Sequence, residues 1–222
     1  MQILLGFLLS LMLEFYKNKE TLLVKKIIFT TVLPLFLIFS TIASAQKKDS
    51  NNKTQVQTVS SVDLKRYSGK WYEIARYPNK FQRKCVGNTT TTYSTKADGS
   101  LSVSNQCVMK DGTIGKANGD AKIVDTATNA KFEMSFASKF KSFLSSDWKN
   151  YWVVDLDQNY QYAAVADPKR ENLWILSRTP EMNDAVYQNV LRRVERLGFN
   201  PGKLTKTPQN LEVIKGEVIQ KQ

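Results

Sequence analysis

Few residues in this 222-residue chain could do chemistry, and the most informative fact about them is a gap: the sequence contains no histidine. That removes the commonest general base and the commonest metal ligand. A haem held by histidine, a histidine-bearing zinc site and a Ser-His-Asp triad are excluded. Two cysteines are present, Cys85 and Cys107. In an oxidising compartment an even pair predicts a disulfide. The alternative, a reactive thiol, would have no histidine beside it to draw off its proton. Glu73 is the one carboxylate that stands out, as a charged residue inside an otherwise apolar segment. A single acid without a base or nucleophile is a thin basis for catalysis. No catalytic set, no metal site and no cofactor is expected.

Disulfide chemistry needs export, and the front of the chain supplies it. Lys25 and Lys26 precede an apolar run from Ile27 to Thr41, and Ala43-Ser44-Ala45 follows. A basic flank, a short apolar core and an A-x-A exit make a secretory signal peptide. The run falls short of the roughly 20 apolar residues of a spanning helix. Residues 1–45 are therefore read as an N-terminal extension and signal peptide. Residues 46–62, rich in Lys, Ser, Asn, Thr and Gln, read as a flexible leader. Residues 63–208 form one domain, and 209–222 a tail that is either a ninth strand or disordered. The net charge is +12. Export, and the scatter of Lys and Arg along the chain, argue against nucleic acid and leave a solvated basic surface, with contact to an anionic membrane surface second. The oligomeric reading is monomer or dimer.

The elements that must position any site are strands. Residues Trp71 to Tyr77, Val86 to Ser94, Ser100 to Val108, Ile114 to Val124, Lys131 to Ala137, Tyr151 to Leu156, Tyr162 to Ala166 and Leu173 to Ser177 alternate with period two or are β-prone, with turn residues between them. Cys85 and Cys107 lie at the far ends of two strands joined by the Ala97-Asp98-Gly99 turn, so antiparallel pairing brings them together. Val186, Val190, Leu191, Val194 and Leu197 recur at helical spacing, in a helix that Thr179-Pro180 starts and Gly198 ends. Tyr151-Trp152-Val153-Val154 and Leu173-Trp174-Ile175-Leu176 are apolar on both faces, which predicts that one face is inside and the other lies under that helix. The fold class is all-β: an eight-stranded antiparallel up-and-down barrel with a C-terminal helix packed outside.

Three segments go beyond pattern. Gly69-Lys70-Trp71-Tyr72-Glu73-Ile74-Ala75-Arg76 carries a G-x-W motif, Asp157-Gln158-Asn159-Tyr160 a D-x-x-Y turn, and Leu173 to Pro180 a segment centred on Arg178. In this order and spacing they resemble the three motifs of the lipocalin family, above all its bacterial outer-membrane members with their apolipoprotein D and plant relatives. The resemblance implies a barrel floor of Gly69, Trp71 and Arg178, with the guanidinium stacked on the indole. It also implies a cup for a small hydrophobic ligand. If Trp71 points inward, alternation sends Glu73, Ala75 and Tyr77 inward too, and comparison with lipocalin strands adds Tyr93, Val103, Met134, Phe136, Tyr151, Val153, Val165 and Trp174 to the wall.

What the resemblance implies about function is an extracytoplasmic carrier of a fatty acid, lysophospholipid or similar molecule, and not an enzyme. The alternative is an enzyme acting on a hydrophobic substrate inside the barrel, with Glu73 as its acid. Outer-membrane members of the family carry a lipidated cysteine just after the signal peptide. Here that region reads Ala45-Gln46-Lys47-Lys48, which argues against a lipid anchor and for a periplasmic or secreted protein. Phe140-Lys141-Ser142-Phe143-Leu144 reads as a loop at the cup rim, against a membrane, or packed as an ordinary loop.

Overall fold

A computed structural model describes residues 55–136, 148–214 and 216–220. The signal peptide, the first part of the leader and the Phe140–Leu144 loop lie outside the described residues. Eight strands follow in order: β1 (Gly69–Arg76), β2 (Cys85–Thr95), β3 (Leu101–Met109), β4 (Ile114–Ile123), β5 (Lys131–Ser135), β6 (Lys149–Leu156), β7 (Tyr162–Ala166) and β8 (Leu173–Ser177). Each pairs antiparallel with the next, and β1 pairs with both β8 and β2, so the sheet closes on itself. Short polar turns make this possible. Asp98 Oδ1 accepts the Ser100 amide at 2.9 Å, and Asp111 does the same for Thr113 at 3.0 Å.

Alternation sorts the apolar residues into two cores. Inward positions hold Trp71, Tyr93, Leu101, Val103, Phe132, Met134, Val153, Val165 and Leu176. Outward positions on β6 to β8 hold Trp152, Val154, Ala164, Ala166, Leu173 and Ile175, and these carry Tyr187, Val190 and Val194 of the helix α2 (Asp184–Arg196). The alanines of β7 have no bulk to keep the helix away. A half-buried ion pair from Arg193 to Asp155 at 2.7 Å pins its last turn. The helix starts at Asp184 and not at Thr179-Pro180. Thr179 Oγ1 donates to the Glu181 carbonyl, which shapes a turn, and Asn183 Oδ1 then caps the helix by accepting the Ala185 amide.

Two further expectations change. The second half of the leader is packed. Val56 sits in the outer core and Val62 in the inner one, and the Val59 amide donates to the Val153 carbonyl at 3.0 Å. The polar average of that segment hides three valines spaced three apart. The ninth strand of the barrel sheet is β9 (Thr205–Lys206), inside the domain and ahead of the tail; the tail itself is a separate hairpin, β10 (Leu211–Ile214) with β11 (Glu217–Gln220). The reason lies in β1, which pairs with β2 only over Gly69 to Tyr72 and then with β9 through Ala75 and Arg76. Gln209 bridges the gap, donating to the Glu73 and Thr89 carbonyls at 2.7 and 2.9 Å.

Cys85 and Cys107 form a disulfide with their Cα atoms 5.7 Å apart. They are not direct ladder partners, because the β2–β3 register shifts between Cys85 and Thr90. The bridge closes a loop of sequence separation 22. Replacing both cysteines by alanine is expected to lower stability by about 3 kcal/mol, read by urea denaturation, with binding of ligand retained.

Candidate functional site

The closed end is built where the three sequence motifs meet. The helix α1 (Leu64–Tyr67), capped by Asp63 through the Lys65 and Arg66 amides, runs across it. Tyr67 lies against Trp71, Tyr93 and Phe132, with ring centroids 5.2, 5.3 and 6.0 Å away. Trp71 is fully buried, and its Nε1 donates to the Tyr67 carbonyl at 2.8 Å. The Arg178 guanidinium stacks 3.7 Å from the Trp71 ring centre. It donates to the carbonyls of Lys70 at 2.9 Å, Arg66 at 2.6 Å, Tyr67 at 3.2 Å and Tyr160 at 3.3 Å. Burial draws its pKa below the ordinary arginine value. Gly69 has φ +96°, and a Cβ there would stand 3.3 Å from Arg178 Nη1, so both backbone and guanidinium call for glycine. Tyr160 joins the floor from the D-x-x-Y turn, its hydroxyl accepting the Asp63 amide at 2.8 Å. Sequence reasoning missed Tyr67, whose helix is a single turn and too short for periodicity to reveal.

Burial pushes the Tyr93 hydroxyl up to about 12 and raises Tyr67 and Tyr151 as well. In the unfolded chain tyrosine ionises near 10. The folded state therefore holds its phenol proton longer, and the stability it contributes is complete below about pH 10 and lost as pH rises toward about 12. The unfolding free energy should fall over that interval, by roughly 2 to 3 kcal/mol from Tyr93 alone, and Tyr93→Phe should reduce the fall.

Above the floor, ladder pairing fixes which residues face inward. Val103 stands beside Gly119, Asn105 beside Thr91 and Ala117, Val153 beside Val165, and Val165 beside Trp174. Met134 is buried inward beside Ala121, and Tyr151 stacks on Trp174 with centroids 5.6 Å apart. Phe136 continues past β5 on the same face, with its ring against Gly119, but it is 42% exposed. The lower inward residues are buried, whereas Asn105, Tyr151 and Trp174 are half-buried and Ala117 is exposed. Ala117 lies above the last β4–β5 ladder pair, Asp120 with Ser135, where β4 has no described partner on that side.

Tyr77 does not face the barrel interior. The β1–β8 register shifts between Glu73 and Ala75, so Glu73 faces inward with Leu176, Ala75 faces outward with Ile175, and Arg76 faces inward with Trp174. The one-residue bulge inverts every later side chain. Ala75 and Tyr77 join the outer core, where the Tyr77 hydroxyl donates to the Asn200 carbonyl at 2.9 Å.

Glu73 is held from three sides. Its carboxylate accepts from Arg76 Nη1 at 2.7 Å, Thr207 Oγ1 at 2.6 Å and Gln82 Nε2 at 2.6 Å. Gln82, from the loop after β1, also accepts the Trp174 indole N–H at 2.9 Å, and Asn79 orders that loop by accepting the Phe81 and Gln82 amides. Glu73, Gln82 and Trp174 thus form one network across the mouth. Nothing in the strand pattern points to Gln82, since a loop residue has no alternation to read. Among the described residues no set of three or more Cys, Asp or Glu could hold a metal ion, and no helix is long and apolar enough to cross a membrane.

The same architecture occurs in known proteins. Residues 62–209 match the family described as a lipocalin-like domain. Temperature-induced lipocalin-1 of Arabidopsis thaliana is 34% identical over 159 residues, covering 71% of this chain and 85% of that one. The outer membrane lipoprotein Blc of Escherichia coli K12 is 39% identical over 149 residues, covering 67% and 80%. Insecticyanin of the tobacco hornworm Manduca sexta superposes with a TM-score of 0.56 at 24% identity, over 69% of this chain and 84% of that one, and speaks for the fold alone. With the floor of Trp71 and Arg178, the closed ring of eight strands and the outer helix all in place, this chain belongs to the lipocalin family.

Proposed function

We propose that the chain is an extracytoplasmic carrier that holds a fatty acid, lysophospholipid or similar single-chain amphiphile in the upper half of its barrel, exchanges it with membranes, and performs no reaction on it. The observation that carries this reading is the gradient of exposure along the inward face. The inward residues of the lower half are buried, while above them Phe136 is exposed and Tyr151 and Trp174 are only half-buried. An apolar wall with a few polar groups is the usual form of a small-molecule site. Asn105 Oδ1 is buried on this wall without a hydrogen-bond partner. A buried acceptor of that kind favours a ligand that brings a donor, such as a hydroxyl-bearing head group, over a plain hydrocarbon. Glu73 supports the carrier reading rather than the enzyme, since both carboxylate oxygens already accept bonds from Arg76, Thr207 and Gln82. The signal-like segment Lys25 to Ala45 and the Cys85–Cys107 disulfide support a periplasmic or secreted location.

Titration with a fluorescent fatty acid, followed by displacement with lysophospholipid and monoacylglycerol, tests the reading. Micromolar binding with competitive displacement is expected. Absence of binding by every one of these amphiphiles would remove it.

A further inference from the structure

Six of the seven large apolar side chains exposed on the described surface belong to one end of the barrel. They are Phe81, Ile114, Phe136, Val213, Ile214 and Ile219; only Val124 lies at the closed end. Setting aside Phe136, which faces the cup, the other five are between 40% and 58% exposed. They come from three segments that antiparallel topology and direct contacts gather at the open end. Phe81 is on the loop between β1 and β2, Ile114 begins β4 after the β3–β4 turn, and the remaining three are on the β10–β11 hairpin.

These segments hold one another. The Lys110 amide donates to the Lys84 carbonyl at 3.0 Å, tying the β3–β4 turn to the first loop. Asn88 fastens the hairpin, donating to the Leu211 carbonyl at 2.7 Å and accepting the Leu211 amide at 3.1 Å. At Gly112, in the β3–β4 turn, an added Cβ would come within 2.8 Å of the Gly216 carbonyl oxygen and 3.1 Å of Val213, so turn and hairpin are packed close. The hairpin has no part in the barrel core, yet the fold fixes it beside the mouth. Exposed apolar residues gathered in this way mark a surface with a partner.

Charge identifies the partner. Residues 78–84 and 109–116 carry Lys80, Arg83, Lys84, Lys110 and Lys116 against Asp111, and the hairpin adds Lys215 against Glu212 and Glu217, so the three segments hold six cations to three carboxylates, with the excess on the first two. Lys80 Nζ sits 5.6 Å from the Phe81 ring centre, an ammonium directly beside an apolar tip. Apolar tips flanked by exposed cations match the boundary of a bilayer, where acyl chains lie beneath anionic head groups. We propose that the open end of the barrel is a docking surface for an anionic lipid bilayer, with Phe81, Ile114, Val213, Ile214 and Ile219 entering the head-group region and the five flanking cations pairing with phosphates. Docked in this way, the mouth faces the membrane, and a lipid can pass between bilayer and cup without crossing water. This deepens the carrier reading and rests on it for the direction of exchange, but the surface itself is tested separately.

The full chain carrying Ile114→Cys is labelled with an environment-sensitive nitrobenzoxadiazole dye, so that the signal reports this rim and not residues 1–45. On phosphatidylcholine vesicles containing phosphatidylglycerol, the emission should rise and shift to the blue. On phosphatidylcholine alone the response should be weaker by about tenfold in apparent affinity, and raised salt should reduce the difference. The triple variant Phe81→Asp, Ile214→Asp, Ile219→Asp, labelled at the same place, should lose about tenfold or more in vesicle affinity. All three positions are exposed, so its melting temperature and fatty-acid binding should match the parent. An unchanged dye signal on mixed vesicles overturns the proposal, as does a triple variant that binds them as well as the parent. A dimer that the triple variant dissolves, seen by light scattering without vesicles, overturns it in favour of a second copy as occupant. Failure of fatty-acid binding with vesicle docking intact would count against the carrier reading alone.

Discussion

Trp71→Ala is expected to cost about 3 to 5 kcal/mol of folding free energy, the largest effect of any single substitution in this barrel. The indole is fully buried, meets Tyr67 on one side and carries the Arg178 guanidinium on the other. Its loss leaves a cavity in the floor that neighbouring strands, each tied into a closed ring, cannot collapse to fill. Arg178→Ala should cost about 2 to 3 kcal/mol, less because its carbonyl partners are partly open to water. The two losses should not add: with the stack already gone, the second substitution removes about 1 to 2 kcal/mol less than it does alone. Arg178→Lys should recover only part of the loss, since an ammonium cannot reproduce the planar fork that reaches the Lys70, Arg66 and Tyr67 carbonyls. Chemical denaturation of the four variants checks all of this. Full additivity would mean that the floor is not one unit.

Ala117→Trp is expected to abolish ligand binding, by about a hundredfold or more, while leaving stability within about 1 kcal/mol. Ala117 stands on β4 opposite Asn105, two residues along from Gly119 and four from the buried Ala121. It faces inward and is still exposed. A tryptophan there would occupy the space that the proposal gives to the acyl chain without pressing on the lower core. The readout is a pair of measurements on one variant, fatty-acid titration and thermal melting. A variant that binds as tightly as the parent would place the ligand elsewhere, and one that is strongly destabilised would mean that the upper barrel is already full.

Much of the fold was legible because closed antiparallel barrels write themselves as alternation and turns. Val103, Met134 and Val153 read as inward, and β6 and β8 read as covered on both faces; the two cores show the same division. The disulfide was legible because a single hairpin turn separates its strands. Tyr77 was not, and the reason is physical. Strict alternation has no term for a bulge, and the shift between Glu73 and Ala75 reverses the rest of the strand, sending Tyr77 out and Arg76 in. The packed half of the leader escaped because three valines among polar neighbours leave a composition unchanged. Gln82 and Thr207 escaped because they act on Glu73 from the loop after β1 and from the segment after β9, through single hydrogen bonds that no local pattern encodes. The motif residues Gly69, Trp71, Asp157, Tyr160 and Arg178 were the most legible of all, and they form the floor or, for Asp157, the turn that brings Tyr160 to it, so what the sequence states most loudly is architecture. The proposed ligand site lies higher up, among residues such as Asn105 and Ala117 that carry no motif.

The central claim is that the upper barrel holds a lipid. Native mass spectrometry of the chain purified without detergent from the cells that make it tests this most directly, with the Ala117→Trp variant prepared in parallel. The expected result is an adduct with the mass of a single-chain amphiphile on the parent, lost on gentle activation and missing from the variant. A bare parent that also takes up no added lysophospholipid or fatty acid would contradict the account, as would an adduct retained equally by the variant.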